Sequence, residues 1–234
     1  MTRTVIESLG PAYWRAGLAD PHLHWKRGRS AWEMAVAWES QSDSESGLPP
    51  EVETVLAKHP RFHGARLLIG VVEHQVILDD PRRPSQNDLW GVLITNTGHV
   101  SMSVEAKAGE DFDKRLGDWL REESEGKERR LNFLCRQLAI NERPSLSLRY
   151  QLFHRAASAV LEAQRWHFPI ALMLIQSFAE SKTSWQDFAD FAAVFRLDAK
   201  RNSVIGPWRL EGIDLFLGWV DSTKADDAIA ASAI

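Results

Sequence analysis

Apolar and polar positions along this chain repeat with two periods, and the switches between them outline its elements. From Ser30 the run SAWEMAVAW places Ala31, Met34, Ala35 and Trp38 at helical spacing, which predicts a helix with one inward face. Ser30 and Glu33 stand three apart at its start, the pattern of a capping box. Residues 1–24 contain turn formers and read as irregular. SQSDSESGLPP (40–50) is polar and ends in two prolines, so it reads as a loop, and a short helix is expected over 51–58. ARLLIGVV (65–72) is apolar and β-branched, a strand whose continuation to Leu78 is either a second segment or the same strand with a bend.

Residues 88–95 and 99–107 read as a β-hairpin, with Asn96-Thr97-Gly98 supplying the turn. Leu89, Trp90, Val92, Leu93 and Ile94 put apolar groups on both faces of the first strand, as a central strand does. The second strand alternates, with Ser101, Ser103, Glu105 and Lys107 on one face and Val100, Met102, Val104 and Ala106 on the other. Helical patterns follow at about 113–122, 127–140 and 149–167. PIALMLIQSF (169–178) is a continuous apolar run, a buried strand suited to parallel pairing after the long helix. A further amphipathic helix is expected over 185–195 and one or two strands over 208–220. The element order predicts an α/β protein, a mixed β-sheet flanked by helices in one domain of residues 1–234. Its core spans about 28–220, with a loose tail at 221–234.

Composition adds bounds. The 234 residues are 44% hydrophobic and include ten tryptophans, enough for a sizeable core. The single cysteine, Cys135, forms no internal disulfide, and a reducing compartment fits. No apolar run reaches the length of a membrane span, and the first residues do not resemble a signal peptide, so a cytoplasmic protein with no membrane partner is expected. A formal net charge of -4 argues against coating nucleic acid by bulk charge, though basic clusters occur at Lys26-Arg27-Arg29, Arg82-Arg83 and Lys127-Arg129-Arg130.

The candidate chemistry lies at the end of the hairpin away from its turn. Asp88 enters the first strand, and Glu105 and Lys107 close the second. Register decides whether they meet. A two-residue Thr97-Gly98 turn sets Asp88 opposite Lys107. A four-residue loop (95–98) sets it opposite Glu105. A three-residue turn points Asp88 away unless a bulge intervenes. Two carboxylates held together repel unless a cation lies between them, and Mg²⁺ prefers such hard oxygens. A lysine beside them orients water and stabilises charge developing on a phosphate. Alone, an ExK pattern is also what an ion pair on a half-exposed strand looks like.

Acid, hairpin, then Glu-x-Lys resembles the PD-(D/E)XK, or restriction-endonuclease-like, nuclease superfamily, whose core is αβββαβ. Asp88 matches the first acid, Glu105 the second and Lys107 the lysine, while Asn87 stands where many members have proline. The whole also looks like an uncharacterised bacterial family of this superfamily, sharing WKRGRSAWE, SQNDLW, VEAK and LRYQLFHRAASA. The resemblance implies a Mg²⁺- or Mn²⁺-dependent nuclease acting on DNA phosphodiesters. Its metal would rest on Asp88, Glu105 and the Ala106 carbonyl. Glu33, on the first helix, is a further candidate ligand. Lys107 would be catalytic, with Gln151 on the long helix beside it. Gln151, His154, Arg155, Ser158, Glu162 and Arg165 form one polar stripe on that helix, which is either a solvated face or a contribution to the site. Many such nucleases are homodimers. Members that have lost catalysis act as binding or assembly modules, and that alternative stays open. A third reading rests on Asp20-Pro-His-Leu-His24, which looks like the DxHxH of metal-dependent amidohydrolases. No apolar strand precedes it, as that barrel would need.

Overall fold

The computed structural model describes residues 10–18, 20–121, 124–179 and 181–224. It is an α/β structure: one open, mixed six-stranded sheet with helices on both faces. The strands are β1 (Arg66–Val76), β2 (Ser85–Thr95), β3 (Gly98–Lys107), β4 (Ile170–Ser177), β5 (Ser203–Leu210) and β6 (Ile213–Asp221). They lie in the order β1-β2-β3-β4-β6-β5. β1, β2 and β3 are antiparallel neighbours, β3, β4 and β6 run parallel, and β5 returns antiparallel at the far edge.

The apolar run predicted as a parallel strand is β4, buried at every position. Burial on both faces explains why it carries no alternation. Its odd and even residues feed two separate cores. Ala171, Met173 and Ile175 pack with α5 (Leu116–Leu120), α6 (Glu125–Gln137), α7 (Tyr150–Trp166) and α8 (Lys182–Val194). Ile170, Leu172 and Leu174 pack with α1 (Pro11–Gly17), α3 (Ser30–Glu39) and α4 (Pro50–Ala57) on the other side. Five of the ten tryptophans are buried, and Trp166, half exposed, is the only one on the surface.

Several local expectations are corrected. The irregular N-terminal stretch contains α1 and the one-turn α2 (Pro21–His24). Both start on a proline, whose fixed φ and missing N–H suit the first helical position. Ser30 does not cap α3. Arg29 occupies the cap position without a side-chain bond, and Glu33 instead accepts the N–H of Gly28 at 2.9 Å. The helix expected over 113–122 shrinks to the five residues of α5. The residues before Leu116 are held by Arg149, whose Nη1 donates to the carbonyls of Phe112 and Asp113. In the tail expected to be loose, Asp221 ends β6, Ser222 N–H donates to Ser177 C=O, and Thr223 Oγ1 donates to Glu51. Residues 225–234 lie outside the described residues. No helix among the described residues is long and apolar enough to cross a membrane.

Candidate active site

The hairpin adopts the register of the four-residue alternative. Ile94 pairs with His99 and Leu89 with Val104, and one further pair, Thr95 with Gly98, leaves Asn96-Thr97 at the tip. Continued by one residue, this register sets Asp88 opposite Glu105. β1 pairs Val72 with Leu89 and His74 with Asn87, so Glu73 stands opposite Asp88 on the other side. The charges of Glu105 and Glu73, on the strands to either side, both act on Asp88.

Glu73 and Asp88 fall at an irregularity. Glu73 has φ 51°, a left-handed conformation that is costly without a local reason. Asn87 accepts from Ser103 Oγ at 2.5 Å, and Trp90 Nε1 donates to Ser101 Oγ at 3.0 Å. Both serines lie on one face of β3, yet Asn87 and Trp90 are three positions apart. The inside–outside alternation of β2 therefore slips by one near Asp88, with no change of register against β1. With the β2–β3 ladder interrupted, the Asp88 side chain takes the place of backbone: Oδ2 accepts the Ala106 N–H at 2.8 Å.

α7 completes the cluster from the serine face of β3. Its polar stripe points inward against the sheet as far as Glu162, with Arg155, Ser158 and Glu162 all buried and Arg165 exposed. Glu105 Oε1 accepts from Lys107 Nζ at 2.5 Å and from Gln151 Nε2 at 2.7 Å. Its Oε2 accepts from Arg155 Nε at 2.5 Å. Gln151 is fixed at its other end, where Oε1 accepts the Asp113 N–H at 3.2 Å. Arg155 Nη1 donates to Ser85 Oγ at 3.0 Å, and Ser85 Oγ lies 2.8 Å from His154 Nδ1. Further along the stripe, Glu162 Oε1 lies 3.4 Å from His74 Nε2, and Glu162 Oε2 accepts from Trp166 Nε1.

The charges are unequal. Burial, then the charge of Glu105, pushes the Asp88 carboxyl up to about 8 against the pull of Arg155 and Lys107. Burial would raise Glu105 too, but Arg155 and Lys107 beside it hold that carboxyl below its ordinary value. Burial works against the Arg155 charge, and Glu105 and Asp88 outweigh it. Glu73 is raised, chiefly by burial, although Gln86 donates to it at 2.6 Å. Burial and then the neighbouring Arg155 keep His154 neutral, well below its usual value.

Of the residues proposed from sequence, Asp88, Glu105, Ala106, Lys107 and Gln151 come together here. Glu33 is buried on α3 in the opposite helical layer, where its carboxylate supports the loop leading into its own helix. Asp20 caps α2 by accepting the Leu23 N–H, and His22 and His24 are exposed. Sequence reading missed Glu73, which sits in no motif, and Ser85, which opens SQNDLW but was given no role, and it did not anticipate that Arg155 would bind Glu105. The slip near Asp88 carried no sequence signal.

A family model described as a domain of unknown function (DUF6946) matches residues 7–224. The chain belongs to that family. The match spans all six strands of the DUF6946 chain, so the cluster lies well inside the family's domain. No curated protein and no solved structure matches this DUF6946 chain.

Proposed function

We propose that this protein is a divalent-metal-dependent nuclease of the restriction-endonuclease-like kind, hydrolysing DNA phosphodiesters. The observation that carries the reading is the meeting of Asp88, Glu105, Lys107 and Gln151 at one sheet end, in the register that makes the two acids repel. The element order around them agrees with it: helix, three antiparallel strands, helix, parallel strand. Among the described residues no three His, Cys, Asp or Glu side chains gather as a metal-binding group. Mg²⁺ tolerates few protein ligands because it keeps several waters. Two carboxylates and the Ala106 carbonyl are hard oxygens of the kind it takes, and a carboxyl raised to about 8 by burial and then by a neighbouring carboxylate is relieved by a cation. Asp88, Glu105 and the Ala106 carbonyl would hold Mg²⁺ or Mn²⁺, which supplies Lewis acidity toward the phosphate oxygens. Lys107, two residues along the same strand face, orients the attacking water and faces the charge that develops on phosphorus-bound oxygen. Gln151, pinned by Asp113, fixes the plane of the Glu105 carboxylate.

DNA would approach over a basic border. Arg82 is exposed on the connection from β1 to β2, and Arg129 is exposed on α6. Arg130 ties the two together, donating to the Arg83 carbonyl at 2.8 Å and pairing with Asp79. The test is calorimetric Mn²⁺ titration of wild type, Asp88→Ala and Glu105→Ala, with DNA cleavage assayed beside Lys107→Ala. Binding lost in both acid variants and cutting abolished in folded Lys107→Ala are expected. Undiminished cutting by Lys107→Ala overturns the assignment.

One observation favours a second reading. Both oxygens of Glu105 are already bonded by donors of this chain. A non-catalytic member, using the fold as a binding or assembly module, would keep such a self-neutralised cluster. Metal affinity indifferent to Asp88 and Glu105 would mark it.

A further inference from the structure

Glu105 is served by two cations, and they are held differently. Lys107 reaches Oε1 from the same strand, at the end of a flexible stem. Arg155 reaches Oε2 from α7, and the two side chains are equally buried, each 7% exposed. The helix beneath it is locked, because Ala156 and Ala159 pack with no exposed surface. Arg155 also has a hold that involves no acid. Its Nη1 donates to Ser85 Oγ at 3.0 Å and lies 3.3 Å from His154 Nδ1. Burial and Arg155 lower the His154 pKa, which favours the neutral ring, and the tautomer with Nδ1 unprotonated accepts here. The guanidinium is therefore anchored on one side by Ser85 and His154 and bonded to Glu105 on the other.

We propose that Arg155 and a divalent cation compete for the Glu105 carboxylate, so that ion binding turns the guanidinium off Oε2 while Ser85 and His154 retain it. The inference rests on the metal-dependent reading above. Its physical basis is exclusion. The charge-assisted bond from Arg155 occupies one lone pair of Oε2 and neutralises part of the carboxylate charge that would draw a dication, and a dication at Glu105 repels a guanidinium in the same enclosure. Arg155 thereby sets the metal affinity of the site. It stabilises the acids when metal is scarce and weakens binding by the cost of its own displacement. It is a positioning residue, acting on Glu105 and not on the substrate.

Two measurements test it. Arg155→Met removes the competitor and keeps bulk, and calorimetry should find Mn²⁺ bound at least tenfold more tightly than by wild type. In wild type labelled with ¹⁵N at arginine, the Arg155 Nε–H signal, assigned by its loss in Arg155→Lys, should move as Mg²⁺ is added. Its midpoint should match that of a calorimetric Mg²⁺ titration of the same wild-type protein. The second measurement stands even if Arg155→Met fails to fold. An Nε–H signal unmoved at saturating Mg²⁺, or Mn²⁺ affinity in folded Arg155→Met no tighter than wild type, overturns the competition and leaves the metal site standing. No Mn²⁺ binding by either folded protein overturns both.

Discussion

Asp88 is the residue whose state depends most on its neighbours. Its carboxyl is raised to about 8 by burial and Glu105, with Glu73 adding to the effect, while Arg155 and Lys107 oppose it. In the unfolded chain it titrates near about 3.9. A pKa raised by folding means that the native state holds the proton more tightly. Its contribution to stability is complete below the unfolded value and is lost as pH rises through about 8. Asparagine imitates the protonated acid. In EDTA, Asp88→Asn should therefore match wild type near pH 4 and become progressively more stable than it toward pH 9. Thermal melts across that range read the difference. Parallel curves would mean that the Asp88 charge is already compensated. Asp88 opposite Glu105 was legible in the sequence as one of three registers, with Asp88 taken as the strand's first residue, whereas β2 begins at Ser85. Its partner Glu73 was not legible, because a left-handed glutamate inside an apolar strand leaves no mark in the residue pattern.

At the scale of elements, α7 decides what the site is. Its stripe from Gln151 to Arg165 fits a solvated face as well as a buried one, since helical spacing reports only that polar groups share a side. What turns the stripe inward is the opposing strand, whose Ser103, Glu105 and Lys107 form a buried polar row and need partners. Two ambiguous patterns in distant parts of the chain thus settle each other, which no local reading could foresee. Helix and sheet meet through small residues: Ala156, Ala159 and Ala163 have no exposed surface. That close approach brings Gln151 and Arg155 within hydrogen-bond range of Glu105. Ala159→Leu would force branched bulk into the contact. Overpacking of this kind costs about 1–3 kcal/mol. Urea denaturation should show that loss, and Mn²⁺ binding should change with it because the helix carries Arg155. Unchanged stability would show that α7 rides loosely on the sheet. The prolines opening α1 and α2 were a legible signal of helix starts, outweighed in the sequence by the turn formers around them.

Across the whole molecule, the site joins parts of unequal stability. Glu105 and Lys107 belong to β3, which is covered by helices on both faces and paired to β2 and β4. Glu73 and Asp88 belong to the irregular segment shared by β1 and β2, and β1 is an edge strand of mostly half-buried residues. Amides deep in a packed sheet exchange only through global unfolding, whereas those of an edge exchange through local opening at lower cost. Hydrogen–deuterium exchange should then be slowest in β3, β4 and β6 and much faster over 72–76. A cation shared by Asp88 and Glu105 would tie the opening segment to the closed one. Mg²⁺ should slow exchange over 72–76 and 85–89 and leave β4 and β6, already limited by global unfolding, changed only by the overall gain in stability. A uniform change at every amide would mean that the ion binds within one rigid part. Slowing confined to segments outside 72–76 and 85–89 would move the metal away from Asp88 altogether.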